Sequence, residues 1–180
     1  MIVMFLAQGF EEVEALCPLD LLRRAGLEVV TVGIGGRDIT GAHGICVRAD
    51  VADHELDPIC DAEMIFLPGG MPGTLHLGES ETVRSCILHA WQGGRYLAAI
   101  CAAPSILGDM GLLQGKEAIC YPGFEDRLTG ATVSTKKIVV DGNVITAAGM
   151  GVALEMGLTL VTLLCGEEKA CALRSAVIAD

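Results

Sequence analysis

The stretch Tyr96-Leu97-Ala98-Ala99-Ile100-Cys101-Ala102-Ala103-Pro104-Ser105 decides how this sequence is read. Five apolar residues, the length of a strand buried on both faces, run without a break into Cys101. Three residues later, Pro104 stands where the first turn of a helix tolerates a missing N–H. A strand that turns sharply into a helix, with a nucleophilic side chain at the turn, has the geometry of a nucleophile elbow. That turn lifts the side chain above the sheet edge, at the carboxyl ends of strands where ligands of open α/β sheets bind, and points it at free backbone N–H groups. The spacing predicts a reactive cysteine whose thiolate the helix N-terminus favours, the most reactive thiol of the chain.

Outward from this segment the same alternation continues. Ile2–Ala7, Glu28–Ile34 and Met64–Leu67 are further apolar runs of strand length, and helices are predicted over Glu11–Ala25, Glu81–Trp91, Pro104–Met110 and Val152–Cys165. Gly26 and Gly166 follow two of these helices directly, where a left-handed cap is commonly needed. Asp141-Gly142, between Ile138-Val139-Val140 and Val144-Ile145-Thr146, reads as a tight hairpin. Strands alternating with helices specify an α/β fold around a mostly parallel sheet. With no internal repeat, low-complexity segment or linker, residues 1–180 form one domain.

Composition agrees and excludes several function classes. Of 180 residues 52% are hydrophobic and 19% charged, enough apolar material for a core without disulfide or metal staples. The net charge of −11, with scattered Lys and Arg, offers no basic patch for a nucleic acid backbone. Ile2–Ala7 is far shorter than the ~20 apolar residues of a membrane helix, and no basic segment precedes it, so neither a membrane span nor a signal peptide is expected. Eight cysteines without an export signal point to a reducing, cytoplasmic compartment. No C-x-x-C pair and no C-x-x-C…H-x-x-x-H array is present, so no metal site is expected, and most of the cysteines read as small buried hydrophobes.

Two further segments join Cys101 as candidates. Leu67-Pro68-Gly69-Gly70-Met71-Pro72-Gly73 follows a strand, and its Gly69 and Gly70 let backbone N–H groups approach a ligand oxygen. It matches neither G-x-G-x-x-G nor the P-loop pattern, so no dinucleotide or triphosphate site is read there. In the first helix a turn of about 100° per residue puts Glu12, Asp20, Arg23 and Arg24 on one side, while Glu14 falls among Cys17, Leu21 and Ala25 on the apolar side. A carboxyl group facing the core neutralises, pairs or serves a site. Glu11 sits close enough to the helix start for capping to explain it. His43 and His76 lie in glycine-rich loops and are the histidines placed to line a pocket, whereas His54, His89 and Trp91 read as surface or packing residues.

Together, Glu11-Glu12-Val13-Glu14 after the first strand, Leu67-Pro68-Gly69-Gly70 after the third and Ala98-Ala99-Ile100-Cys101-Ala102-Ala103-Pro104 at the elbow resemble the Parkinsonism-associated protein deglycase family, within the PfpI/ThiJ superfamily. The likeness spans nearly the whole chain, including the Arg23-Arg24-Ala25-Gly26 end of the first helix, the Asp141-Gly142 hairpin and the final long helix. It implies a flavodoxin-like three-layer sandwich and a homodimer. It also implies that Cys101 is the nucleophile, that Glu14 hydrogen-bonds its sulfur, and that Gly69, Gly70 and Ala102 supply N–H groups around a substrate oxygen. The family often carries a histidine within reach of the cysteine; at the matching position this chain has Tyr121. A phenol is a poor base near neutral pH, which leaves the proton work to Glu14, with Tyr121 and His43 as accessory candidates.

The activity so implied is a cofactor-free, metal-free glyoxalase or deglycase acting on methylglyoxal and related 2-oxoaldehydes or glycated groups. A redox-sensing stress protein or chaperone, in which the same cysteine is oxidised, is the rival reading. Superfamily peptidases resemble a C-H-G elbow, but Ala102 follows this cysteine. Glutamine amidotransferases want a downstream H-x-E, which is missing after Cys101. No phosphate-binding loop supports a thiazole-phosphate enzyme.

Overall fold

The computed structural model describes residues 1–56 and 61–179; Cys60 lies outside them. The apolar runs become strands and the periodic segments become helices, within a residue or two of the expected ends. In chain order the elements are β1 (Ile2–Leu6), α1 (Glu12–Arg24), β2 (Val29–Gly33), β3 (Asp38–Thr40), β4 (Cys46–Arg48), β5 (Val51–Ala52), β6 (Met64–Leu67) and α2 (Gly73–Glu79). There follow α3 (Glu81–Gln92), β7 (Tyr96–Ile100), α4 (Pro104–Asp109), β8 (Glu117–Ala118), β9 (Thr132–Val133), β10 (Ile138–Asp141), β11 (Val144–Ala147), α5 (Ala153–Cys165) and α6 (Glu167–Ala176).

Seven strands form one sheet in the order β10-β11-β7-β6-β1-β2-β5, parallel except for the β10–β11 hairpin. Every residue of β1 and β6 is buried, as strands covered on both faces require. One apolar layer packs Met4, Phe66 and Ile100 against α1, α5 and α6 through Leu22, Met156, Leu160 and Leu173. The other packs Phe5, Ile65 and Leu97 against α3 and α4 through Val83, Ile87, Ile106 and Leu107. Burying a Leu, Ile or Phe side chain stabilises the fold by roughly 1.5–3 kcal/mol, so the two layers dominate the favourable side of folding.

The strand order positions the site. β1 lies between β2 and β6, so the chain's winding reverses between β1 and β6, and β7 is next in line. The loops after β7, β6 and β1 therefore converge at one end of the sheet, the crevice where open α/β sheets bind ligands. Those loops carry Cys101, Gly69 and the start of α1. Gly26 and Gly166 adopt positive φ of 86° and 89° beyond their helices, as their position predicts. Among the described residues no helix is long and apolar enough to cross a membrane.

The β3–β4 hairpin and α2 were not anticipated. Both are short, and α2 contains Gly73 and Gly78, so neither shows a clear periodicity. The hairpin matters for the site because it folds over the first turn of α1.

Candidate active site

Cys101 follows the last residue of β7, and its backbone is locked on both sides. Its N–H donates to the carbonyl of Ala147 at 2.8 Å, extending the β7–β11 ladder by one residue, and its carbonyl accepts the N–H of Tyr121 at 2.7 Å. Between these bonds the residue is held at φ +64°, the left-handed region that non-glycine residues rarely occupy. A strained residue of this kind costs about 1–3 kcal/mol and persists where its surroundings over-determine it. Pro104 occupies the first turn of α4, as the elbow reading requires. The N–H groups of Ala102 and Gly70 hydrogen-bond the sulfur.

Glu14, in the first turn of α1, is 1% exposed. The helical wheel had turned it toward the core, and there it meets the elbow: its carboxyl is hydrogen-bonded to the Cys101 sulfur. Oε2 accepts the N–H of Gly69 at 3.0 Å, and the N–H of Met150 donates to the same carboxyl. A Cβ at Gly69 would lie 2.5 Å from Glu14 Oε2 and 2.6 Å from Cys101 Cβ, so only glycine lets this loop pass between the two side chains. This corrects one expectation. The Gly69 N–H is spent on Glu14, leaving Gly70 and Ala102 as the donors that face the sulfur.

Electrostatics link the pair. Burial pushes the Glu14 carboxyl up to about 7, against the pull of its bond with Cys101 and with the charge of Glu11 adding to the rise. Burial pushes the Cys101 thiol up to about 12, helped by the charge and hydrogen bond of Glu14 and opposed by the Ala102 and Gly70 N–H groups. The expected depression by the helix N-terminus is outweighed, because α4 has only six residues and the sulfur faces a carboxyl group in a dry wall. Between these values the pair holds one proton, placed either on oxygen or on sulfur.

Glu12 departs from the wheel reading. It was placed on the solvent side but is 4% exposed. The β3–β4 hairpin covers it, and Oε1 accepts the N–H groups of His43 at 2.8 Å and Ile45 at 3.3 Å. Burial would raise its pKa, but the bonds from His43 and Ile45 hold it below the usual value. His43 Nδ1 lies 3.0 Å from Glu12 and 3.3 Å from Glu11, and those carboxylates raise its pKa. The hairpin thus brings Glu11, Glu12 and His43 within 4.8 Å of one another, a grouping with metal-ligand character that sequence spacing did not reveal. The charge of Glu11 also acts on Glu14, which is the link between this group and the Cys101–Glu14 pair.

Tyr121 is tied to Cys101 through its backbone, while the residue is 52% exposed and its ring lies against Gly149. His76 lines a separate cavity of about 470 Å³ with Gln8, Asp53 and Glu79, at the ends of β1 and β2. His54 and His89 are exposed, and Trp91 packs under Lys116, whose Nζ is 5.6 Å from the ring centre. Sequence reasoning missed the Met150 N–H and the roof over Glu12. Backbone donors leave no mark on residue identity, although the glycines flanking Met150 hint at a close approach.

Residues 1–163 match the DJ-1/PfpI family. The chain is 38% identical over 169 residues to protein DJ-1 homolog B of Arabidopsis thaliana, an alignment taking in 91% of this chain and 38% of that protein, so it spans well under half of that relative's length. It is 34% identical over 140 residues to a deglycase of Pyrococcus abyssi, with 76% of this chain and 82% of that one aligned. Oxidized DJ-1 of Toxoplasma gondii superposes with a TM-score of 0.94 at 31% identity, covering 98% of this chain and 97% of the other. A family match over residues 1–163 and a fold shared over nearly the whole chain mean that the chain belongs to the DJ-1/PfpI family.

Proposed function

We propose that the chain is a cysteine-dependent glyoxalase or deglycase acting on methylglyoxal and related 2-oxoaldehydes or their adducts, without cofactor or metal. The observation that carries this reading is the Glu14 carboxyl bonded to the sulfur of a cysteine held at φ +64°. In the one-proton state with sulfur ionised, the thiolate adds to the aldehyde carbon and forms a hemithioacetal. The oxyanion is met by the Gly70 and Ala102 N–H groups and takes the proton from Glu14. Glu14, now a carboxylate, removes the hydrogen on that carbon and returns it to the neighbouring carbonyl carbon, while the hydroxyl proton passes from the first oxygen to the second. The product is a thioester of the 2-hydroxy acid, which water hydrolyses, restoring the thiol and releasing lactate. A carboxyl titrating near 7 suits both halves of this shuttle.

A second reading has its own support. The half-buried sulfur with two N–H donors and an acid beside it would also stabilise an oxidised cysteine, and the Toxoplasma relative is an oxidized form. We further propose a symmetric dimer in a reducing, cytoplasmic compartment. The apolar surface of Val13 and Ile45, 44% and 54% exposed beside Leu16, supports the pairing. Lactate formation from methylglyoxal by wild type and by Cys101→Ser tests the enzymatic reading.

A further inference from the structure

Two segments flank the catalytic pair, and each is fastened to one of its members. Tyr121 donates its N–H to the carbonyl of Cys101. The 148–152 segment reaches Glu14 through the Met150 N–H, and a Cβ at Gly149 would lie 3.3 Å from Tyr121 Cδ2 and 4.0 Å from Glu14 Oε1. Between the two segments opens a cavity of about 290 Å³ lined by Tyr121, Pro122, Ala148, Met150, Val152 and Lys137. Its lining is apolar apart from Tyr121 and Lys137, the latter its one charged residue.

Lys137 differs from its neighbour. Lys136 pairs with Glu117 at 3.1 Å, whereas Lys137 has no ion-pair partner among the described residues. Its backbone is fixed, because the Ala148 N–H donates to the Lys137 carbonyl at 2.9 Å, just before the segment that touches Glu14. Lys137 is exposed, and a cation without an ion-pair partner at the mouth of an apolar cavity, between segments fastened to Cys101 and Glu14, can serve as a recognition element for an anion. In a chain of net charge −11 the overall field repels anions, so a preference for them has to come from a local group.

We propose that this cavity receives the part of the substrate beyond the dicarbonyl and that Lys137 pairs with an anion there. The preferred substrates are then 2-oxoaldehydes bearing an apolar, roughly phenyl-sized group that ends in a carboxylate. The inference rests on the glyoxalase reading and deepens it. Bond changes are those already described: sulfur adds to the aldehyde, a proton moves between the two carbons, and one water releases the 2-hydroxy acid. Lys137 enters no covalent step.

The test measures alkylation of Cys101, read by peptide mass spectrometry, with 4-(iodoacetamido)benzoate and with its neutral analogue iodoacetanilide. Wild type, Lys137→Met and Lys137→Arg are compared. Turnover of 4-carboxyphenylglyoxal, phenylglyoxal and methylglyoxal is followed alongside. Wild type is expected to favour the carboxylate partner of each pair about fivefold, the scale of a partly exposed ion pair. Lys137→Met abolishes the preference and Lys137→Arg keeps it. A wild-type ratio at or below one, or a ratio unchanged in Lys137→Met, overturns the inference. If the alkylation preference holds while no dicarbonyl yields a hydroxy acid, the anion subsite stands and the glyoxalase reading falls. If methylglyoxal is turned over while both ratios are flat, the reverse is true.

Discussion

Gly69 donates its backbone N–H to Oε2 of Glu14 at 3.0 Å, so a loop expected to hold a substrate oxygen holds the buried Glu14 carboxyl instead. The bond joins residues 55 positions apart and fixes where the carboxyl meets the sulfur. Gly69→Ala would drive a methyl group into both Glu14 and Cys101. Overpacking of this kind costs about 1–3 kcal/mol, and a misplacement near 1 Å costs roughly 100-fold in rate. Chemical denaturation and methylglyoxal turnover of the variant check both figures.

Replacements of Glu14 separate chemistry from packing. Glu14→Gln keeps an oxygen for the Gly69 N–H but loses the proton shuttle, so activity should fall by 100-fold or more, while stability at or below about pH 4.5, where the wild-type carboxyl is itself protonated, changes little. Glu14→Leu leaves the buried Gly69 N–H unsatisfied and should cost an additional 1–3 kcal/mol or so. Equal stability of the two variants would show that the Gly69 bond contributes nothing to the fold.

Glu14 also sets a pH dependence of stability. Its pKa of about 7 in the fold exceeds the ordinary 4.5. A group raised in this way contributes stability below its unfolded pKa, and the contribution is lost as pH rises through the folded value. Between about pH 4.5 and pH 7 the wild type should therefore lose up to roughly 3 kcal/mol relative to Glu14→Gln. Taking the difference cancels opposite trends from Glu12, Asp50 and Glu117, whose pKa values are lowered. Urea unfolding at both pH values checks the sign.

Much of this arrangement was legible in the sequence. Met64–Leu67 and Tyr96–Ile100 are uninterrupted apolar runs, and their strands have those same limits, because a strand buried on both faces cannot hide its composition. The inward turn of Glu14 followed from its sector of the helix. Glu12 did not follow, since its burial comes from a hairpin about 30 residues away, and a wheel reports one helix rather than what folds over it. The grouping of Glu11, Glu12 and His43 was hidden for the same reason. The rise in the Cys101 pKa was missed because a helix N-terminus is visible in sequence and a dry wall is not.

The shared proton predicts an unusual alkylation profile for Cys101. Once the first proton leaves the pair, near pH 7, the thiolate fraction is fixed until the second leaves. The rate should rise with a midpoint near pH 7 and then level off. In Glu14→Gln the rise should move to higher pH, since burial still opposes the thiolate and no carboxyl shares the proton. Iodoacetamide kinetics from pH 5 to 10 distinguish the two.

Light scattering at micromolar concentration should give about twice the 18.8 kDa of one chain. Ile45→Glu, which puts a charge on the exposed apolar surface beside α1, should shift the mass toward the monomer. A monomeric wild type would remove the proposed pairing.

The central claim is that Cys101 and Glu14 together convert a 2-oxoaldehyde into a hydroxy acid. Its most direct test is the formation of lactate from methylglyoxal in deuterated water, followed by mass spectrometry for wild type, Cys101→Ser and Glu14→Gln. Wild type should release lactate, with deuterium entering the carbon beside the carboxylate in so far as the Glu14 proton exchanges with solvent, and both variants should lose at least 100-fold in rate. Lactate formed equally fast by Cys101→Ser or by Glu14→Gln, or none formed by wild type, would contradict it.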